Sequence, residues 1–133
     1  MIILLTTLFF SQAATIDSVR SVVNNENIIA SEIAIEEVIH KTDNATETVW
    51  LHNEKGPHER LIMSALLRTK AETLDLYEPT EDVLFARAER IRTQMGDNNY
   101  RQFLNRHGLN NPADLLSILR KRIIAERFVA RNI

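Results

Sequence analysis

Histidine and acidic side chains near position 55 come closest to a metal-binding or catalytic cluster in this sequence. His52 and His58 lie on either side of Glu54, and Glu59 follows directly. A zinc site carried by one helix needs two histidines one turn apart, and these two are spaced too widely for that. We therefore interpret all four as solvated loop side chains, and we predict no metal ion and no other cofactor.

Other kinds of catalytic site also lack their characteristic residues. The chain contains no cysteine, which removes thiol nucleophiles and thiolate metal ligands. No nucleophile-elbow motif is present, and the three glycines are too scattered to form a loop around a phosphate group. We predict that the protein is not an enzyme.

A basic face lies near the end of the sequence, formed by Arg120, Arg127 and Arg131. Such a face can contact phosphate or an acidic partner, but positive charge is also favoured at any helix C-terminus. The formal net charge of the whole chain is -2, so we predict no binding to nucleic acid. Arg122 and Glu126 are four positions apart, and we expect them to pair with each other.

Four apolar residues do not fit the buried stripes of the predicted helices: Trp50, Phe85, Ile124 and Phe128. Trp50 lies in a polar segment, and Phe85 falls off the stripe of its helix. Ile124 and Phe128 point away from the main apolar side of the last helix, and a simple bundle cannot bury all four. We predict that they form a client-binding surface or a homodimer contact.

The elements that position these residues are predicted to be mainly helical. Hydrophobic residues make up 44% of the chain, and three glycines with three prolines indicate long elements and few turns. A Val-rich strand, a polar turn at 24–27 and a second apolar run predict a short N-terminal β-hairpin. About five helices are expected to follow it, the last of them apolar on nearly every side.

Helix ends are predicted from capping residues and prolines. Ser31 is the expected N-cap of the first helix, Pro57 begins the second, and Pro79 ends it. Thr80 is the expected cap of the third helix, which Gly96 closes, and the fourth is short and stops at Gly108. The last helix opens at Asn111 with a proline at its first position.

The first thirteen residues have the pattern of an export signal. Residues 2–10 are apolar but shorter than the ~20 residues that span a bilayer, so no stable membrane insertion is expected. Ser11 and Ala13 are the small residues that a signal peptidase requires. We predict cleavage after Ala13, one domain over residues 14–133 and a periplasmic location. The alternative is a buried N-terminal strand, because no lysine or arginine precedes the apolar run.

Five segments together resemble the N-terminal domain of the SurA family of periplasmic chaperones: 17–33, 59–67, 79–95, 100–108 and 119–133. The first reads DSVRSVVNNENIIASEI and the last LRKRIIAERFVARNI. Their order and spacing are more specific than any one of them. The resemblance implies a SurA-like helical fold, while the parvulin prolyl-isomerase sequence of that family is missing from these 133 residues.

This resemblance implies a chaperone-like holdase that binds unfolded or partly folded outer-membrane polypeptides without catalysis. Self-association into a homodimer is also expected, since the last helix is too apolar to remain uncovered. The alternative is a structural or assembly protein, which would use the same surface for permanent dimerisation or as a subunit of an envelope complex.

Overall fold

The computed structural model describes residues 17–43, 56–71 and 75–132. The predicted signal peptide, Trp50, His52 and Glu54 lie outside these described residues. Within them the structure confirms the predicted class, because a short antiparallel hairpin precedes five α-helices.

The hairpin consists of β1 (Val19–Val23) and β2 (Glu26–Ile29), joined by two asparagines. Asn24 has a φ of 49° and Asn25 a φ of 66°. Two positive φ angles in a two-residue connection match the twist of paired strands, and asparagine tolerates that conformation well. A polar turn is therefore confirmed here, but it is limited to Asn24 and Asn25, since Glu26 and Asn27 of the predicted turn belong to β2.

Five helices and one 3-10 turn follow the hairpin in the described residues. The helices are α1 (Ala30–Thr42), α2 (Pro57–Ala71), α3 (Glu81–Met95), α4 (Asp97–Arg106) and α5 (Pro112–Asn132). The 3-10 turn spans Asp75–Tyr77, ahead of α3.

The cap predicted for the first helix is wrong. Helix α1 follows β2 directly, so Ile29 occupies the N-cap position and Ser31 lies inside the first turn. The backbone N–H of Ser31 instead donates to Oδ1 of Asp17, at 3.2 Å. This interaction with Ser31 lowers the pKa of Asp17, because hydrogen bonding stabilises the charged carboxylate. A residue before the hairpin thus caps the helix after it.

The other predicted helix ends agree with the structure except at Pro79. Pro57 is the first residue of α2, and Asn111 caps α5 through a 3.1 Å bond from the backbone N–H of Ala113. Thr80 occupies the N-cap position of α3 without a side-chain cap bond, and Gly96 closes α3 with a φ of 86°. Helix α2, however, is described only to Ala71, and a 3-10 turn lies between it and Pro79.

The main core surrounds α5, which explains why that helix is apolar on so many sides. Leu115, Leu119 and Ile123 are all buried and pack with Ile39 of α1 and Ile91 of α3. Helix α2 and the 3-10 turn pack against α5 as well. Its own chain therefore covers most of the last helix.

Ile124 is buried within the chain, so the expectation that it needs an outside partner is wrong. Its side chain is 2% exposed and belongs to a second, smaller cluster with Ala71 and Tyr77. Phe128 is partly buried against this cluster, with its ring centroid 5.5 Å from that of Tyr77 in an edge-to-face arrangement. The 3-10 turn, which sequence periodicity did not predict, brings Tyr77 over this side of α5.

Candidate functional site

An apolar groove lies where α3, α4 and the start of α5 meet. Its volume is about 310 Å³, at the lower end of the range for ligand-binding pockets. Apolar side chains dominate its lining, which includes Phe85, Ala88, Tyr100, Leu104, Leu109, Pro112, Leu115 and Leu116. A groove of this size and character can accept one or two apolar side chains of a partner.

Phe85 is a large hydrophobic residue of the groove that is exposed. Its side chain is 54% exposed, whereas Leu109 and Leu115 beneath the groove are buried. The helical pattern of α3 explains the exposure, because Leu84 and Ile91 face the core and Phe85 lies to one side of them. An aromatic ring in this position can contact a partner while its backbone stays in a rigid helix.

Polar groups border the groove on the side of α3. Glu89 and Arg92 line it and form an ion pair, and Arg92 also contacts Asp97 at the start of α4. Tyr100 also lines the groove. Burial is the main cause that raises the pKa of its phenol, and the negative charge of Glu89 raises it further. The phenol therefore remains protonated, and its hydroxyl can donate a hydrogen bond at the edge of an otherwise apolar surface.

The predicted contact residues do not form one surface. Phe85 lines the groove, whereas Ile124 and Phe128 belong to the small cluster near the other end of α5. Leu115 and Ile124 are nine positions apart, which corresponds to about 13 Å along a helix. Of the predicted residues that the structure describes, only Phe85 contributes to the groove.

A buried charge network also lies between the helices, and no pattern in the sequence predicted it. Its six members are at most 14% exposed: Glu36, Asp43, Arg60, Arg87, Arg122 and Glu126. Six charges at positions surrounded by core residues are unusual, because burying a charge is costly unless it is paired.

Glu36 and Glu126 are the acceptors at the two ends of the network. Glu36 accepts from Nε of Arg60 at 3.0 Å and from Nη1 of Arg122 at 2.8 and 2.9 Å. Glu126 accepts two bonds from Arg87, at 3.1 and 3.2 Å, and Arg87 also donates to Asp43 at 2.9 Å. The network thereby ties α1, α2, α3 and α5 together.

The expected pair of Arg122 and Glu126 is present only as a weaker contact. Their closest charged atoms, Nε and Oε1, are 3.5 Å apart, longer than the bonds that each makes to other helices. The sequence does indicate that these two charges have long-range partners, since Arg122 and Glu126 directly flank the apolar residues 123–125. A charge at a core-facing position needs a partner, but local spacing does not identify it.

Burial raises the pKa of Glu126, against the opposing effect of the Arg87 guanidinium. The folded protein therefore retains this proton at pH values where the unfolded chain, with a carboxyl near 4.5, has released it. The contribution of Glu126 to stability should fall as the pH rises through that window. Glu126→Gln removes this titratable group. The free energy of unfolding of the variant, measured in urea and compared with that of wild type at the same pH, should therefore increase between pH 4 and pH 7. A relative decrease would mean that the pKa is lowered instead.

Two other predicted groups make internal contacts. His58 lies in the first turn of α2, where its Nε2 is 2.9 Å from the hydroxyl of Ser21, so its assignment to a loop is wrong. Glu59 also lies in α2 rather than in a loop.

On the basic face, Arg120 donates to the Glu78 carboxylate and Arg127 donates to the Glu78 carbonyl oxygen. Among the described residues no group of three or more histidine or acidic side chains is placed to hold a metal ion.

None of the helices in the described ranges has the length and apolar character needed to cross a bilayer. No family model, curated protein or solved structure matches this chain.

Proposed function

We propose that this protein is a chaperone-like holdase that binds apolar side chains of unfolded polypeptides in the groove around Phe85. The observation that carries the proposal is the exposed ring of Phe85 beside a groove of about 310 Å³ with a mostly apolar lining. A large exposed aromatic residue at a concave apolar surface is typical of a site that contacts another molecule. Binding there requires no cofactor and no chemical step.

The SurA-like order of sequence segments supports unfolded envelope proteins as the clients. The same resemblance, with the apolar run at residues 2–10, is the basis for proposing a periplasmic location. These 133 residues contain no parvulin sequence, so we expect that a protein made of them alone does not accelerate prolyl isomerisation.

Phe85→Ser should weaken client binding without unfolding the protein. About half of the phenylalanine surface remains available for burial, which corresponds to about 1 kcal/mol and about a fivefold increase in Kd. The measurement is fluorescence anisotropy with a labelled, aromatic-rich outer-membrane peptide, together with suppression of aggregation of an unfolded outer-membrane protein.

Leu66→Ser is the matched control for this substitution. Leu66 is 45% exposed on α2 and does not line the groove. The Leu66→Ser variant should bind the peptide with the same Kd as wild type. Equal affinities for wild type and Phe85→Ser would contradict the proposed site. A stable dimer that Phe85→Ser dissociates would instead support the alternative, a structural protein that dimerises through this surface.

A further inference from the structure

The N-terminal hairpin packs one of its two faces against α2. On this inner face the hydroxyl of Ser21 lies 2.9 Å from Nε2 of His58. Glu26 accepts two bonds from Arg68, at 2.8 and 2.9 Å, and Ile28 is buried on the same side of β2. A rigid helix therefore holds β1 and β2 in place, and a partner that binds the hairpin does not have to order it first.

A bulge in β1 places two valines together on the outer face of the hairpin. The pairing of the two strands shifts between Val19 and Ser21, so Arg20 is an extra residue without a partner in β2. Side chains alternate along a regular strand, and the extra residue puts Val19 on the same face as Val22, away from Ser21 and α2. Val19 is 52% exposed and Val22 is 61% exposed.

The backbone of Val22 faces the free edge of the hairpin. The turn has two residues, so Val23 and Glu26 on either side of it form a hydrogen-bonded pair. The next opposed pair, Val22 with Asn27, is therefore of the other kind, and the N–H and C=O of Val22 point away from β2. Among the described residues no third strand pairs with β1. Such an edge can accept an additional strand.

We propose that β1 binds an extended segment of an unfolded polypeptide as a third strand. The N–H and C=O of Val22 supply backbone hydrogen bonds, while the side chains of Val19 and Val22 contact apolar side chains of the segment. Arg20 is the only charged residue of β1 and forms none of the ion pairs found among the described residues, so it favours an acidic side chain nearby. The choice of partner rests on the proposed holdase function, since strands of outer-membrane proteins alternate apolar and polar side chains.

A second copy of the chain fits this edge less well. Two β1 strands paired in full antiparallel register would place their Arg20 residues at diagonal positions, about 7–8 Å apart, where like charges repel. The two exposed valines also present far less surface than the ~1,200 Å² that a stable interface buries. A contact of this small size suits the reversible binding of an unfolded segment.

Strand addition depends on backbone hydrogen bonds, which can be removed from the partner alone. The probe is a short labelled peptide in which valine alternates with threonine and glutamate, compared with the same peptide methylated at every backbone nitrogen. Methylation keeps the side chains but removes the donors, so the Kd from fluorescence anisotropy should increase about tenfold or more. Exchange of the Val22 N–H, followed by NMR, should slow at saturating unmodified peptide. Equal Kd values for the two peptides, or an unchanged exchange rate, would overturn the proposal.

Val22→Thr tests the side-chain contact and keeps a β-branched residue that is suited to a strand. It replaces one exposed methyl group with a hydroxyl, so the Kd of the unmodified peptide should increase about threefold. Leu76→Thr is the matched control, because Leu76 is 59% exposed and belongs to the 3-10 turn instead of the hairpin. Its Kd should equal that of wild type. A wild-type Kd for Val22→Thr would place the peptide elsewhere and overturn the proposal.

Phe85→Ser separates this edge from the groove. If it increases the Kd of the valine peptide and Val22→Thr does not, the peptide binds in the groove and strand addition is overturned. If Val22→Thr has its expected effect and Phe85→Ser leaves the Kd of the aromatic-rich peptide unchanged, only the groove proposal fails. Protection of the Val22 N–H that rises with protein concentration in the absence of peptide would show that a second copy occupies the edge, which also overturns the proposal.

Discussion

Glu36→Leu is expected to destabilise the protein by about 3–5 kcal/mol, a large fraction of the stability of an ordinary domain. The substitution leaves the guanidinium groups of Arg60 and Arg122 buried without their main acceptor. Two buried cations then repel each other and lack the hydrogen bonds that offset their removal from water. Urea unfolding, monitored by circular dichroism, measures the change.

Glu37→Leu is the matched control on the neighbouring position of α1. The side chain of Glu37 is 41% exposed, and it pairs with Lys41 and, at 3.4 Å, with Arg60. A solvated pair of this kind contributes about 0–1 kcal/mol, so the control should unfold close to wild type. Equal unfolding midpoints for the two variants would show that the buried network contributes no more than a surface pair.

Ile124→Ala is expected to cost about 2–5 kcal/mol, independent of protein concentration. The side chain is buried by Ala71 and Tyr77 of its own chain, so truncation opens a cavity within a single molecule. We would measure the Tm at two protein concentrations that differ tenfold, and the oligomeric state of the native protein by sedimentation.

Phe85→Ser provides the comparison for Ile124→Ala, because it changes an apolar residue that is already half exposed. Its stability should remain within about 0.5 kcal/mol of wild type. If the Tm of wild type rises with concentration and that of Ile124→Ala does not, Ile124 stabilises a dimer and its burial within one chain is an incomplete description.

Local sequence signals predicted most of the fold. The paired asparagines, Pro57, Gly96 and Asn111 each favour one backbone geometry, and each lies at the predicted boundary. Ser31 was wrongly predicted as the N-cap of α1, because the carboxylate that accepts from the first turn of this helix belongs to Asp17, which precedes the hairpin. Such a cap depends on strand pairing, which spacing along one helix does not reveal.

The candidate sites were harder to predict, because they depend on contacts between distant segments. Phe85 was identified because helical periodicity alone shows that it lies off the buried stripe of α3. Ile124 was wrongly assigned to an exposed contact surface, because Tyr77 covers it from a 3-10 turn that has no apolar periodicity. Arg122 was assigned to Glu126 from their spacing, although its strongest acceptor, Glu36, lies 86 positions earlier.

The separation between Glu36 and Arg122 has a consequence for synthesis of the chain. A ribosome produces the N-terminal residues first, so α1 and α2 emerge with Glu36 and Arg60 before α5 exists. Until α5 arrives, these charges are more favourably hydrated than buried, and the hairpin and first helices have no central helix to pack on. Closing so long a loop is a late step that also slows folding. The main core, which surrounds α5, therefore forms only once that helix has been synthesised.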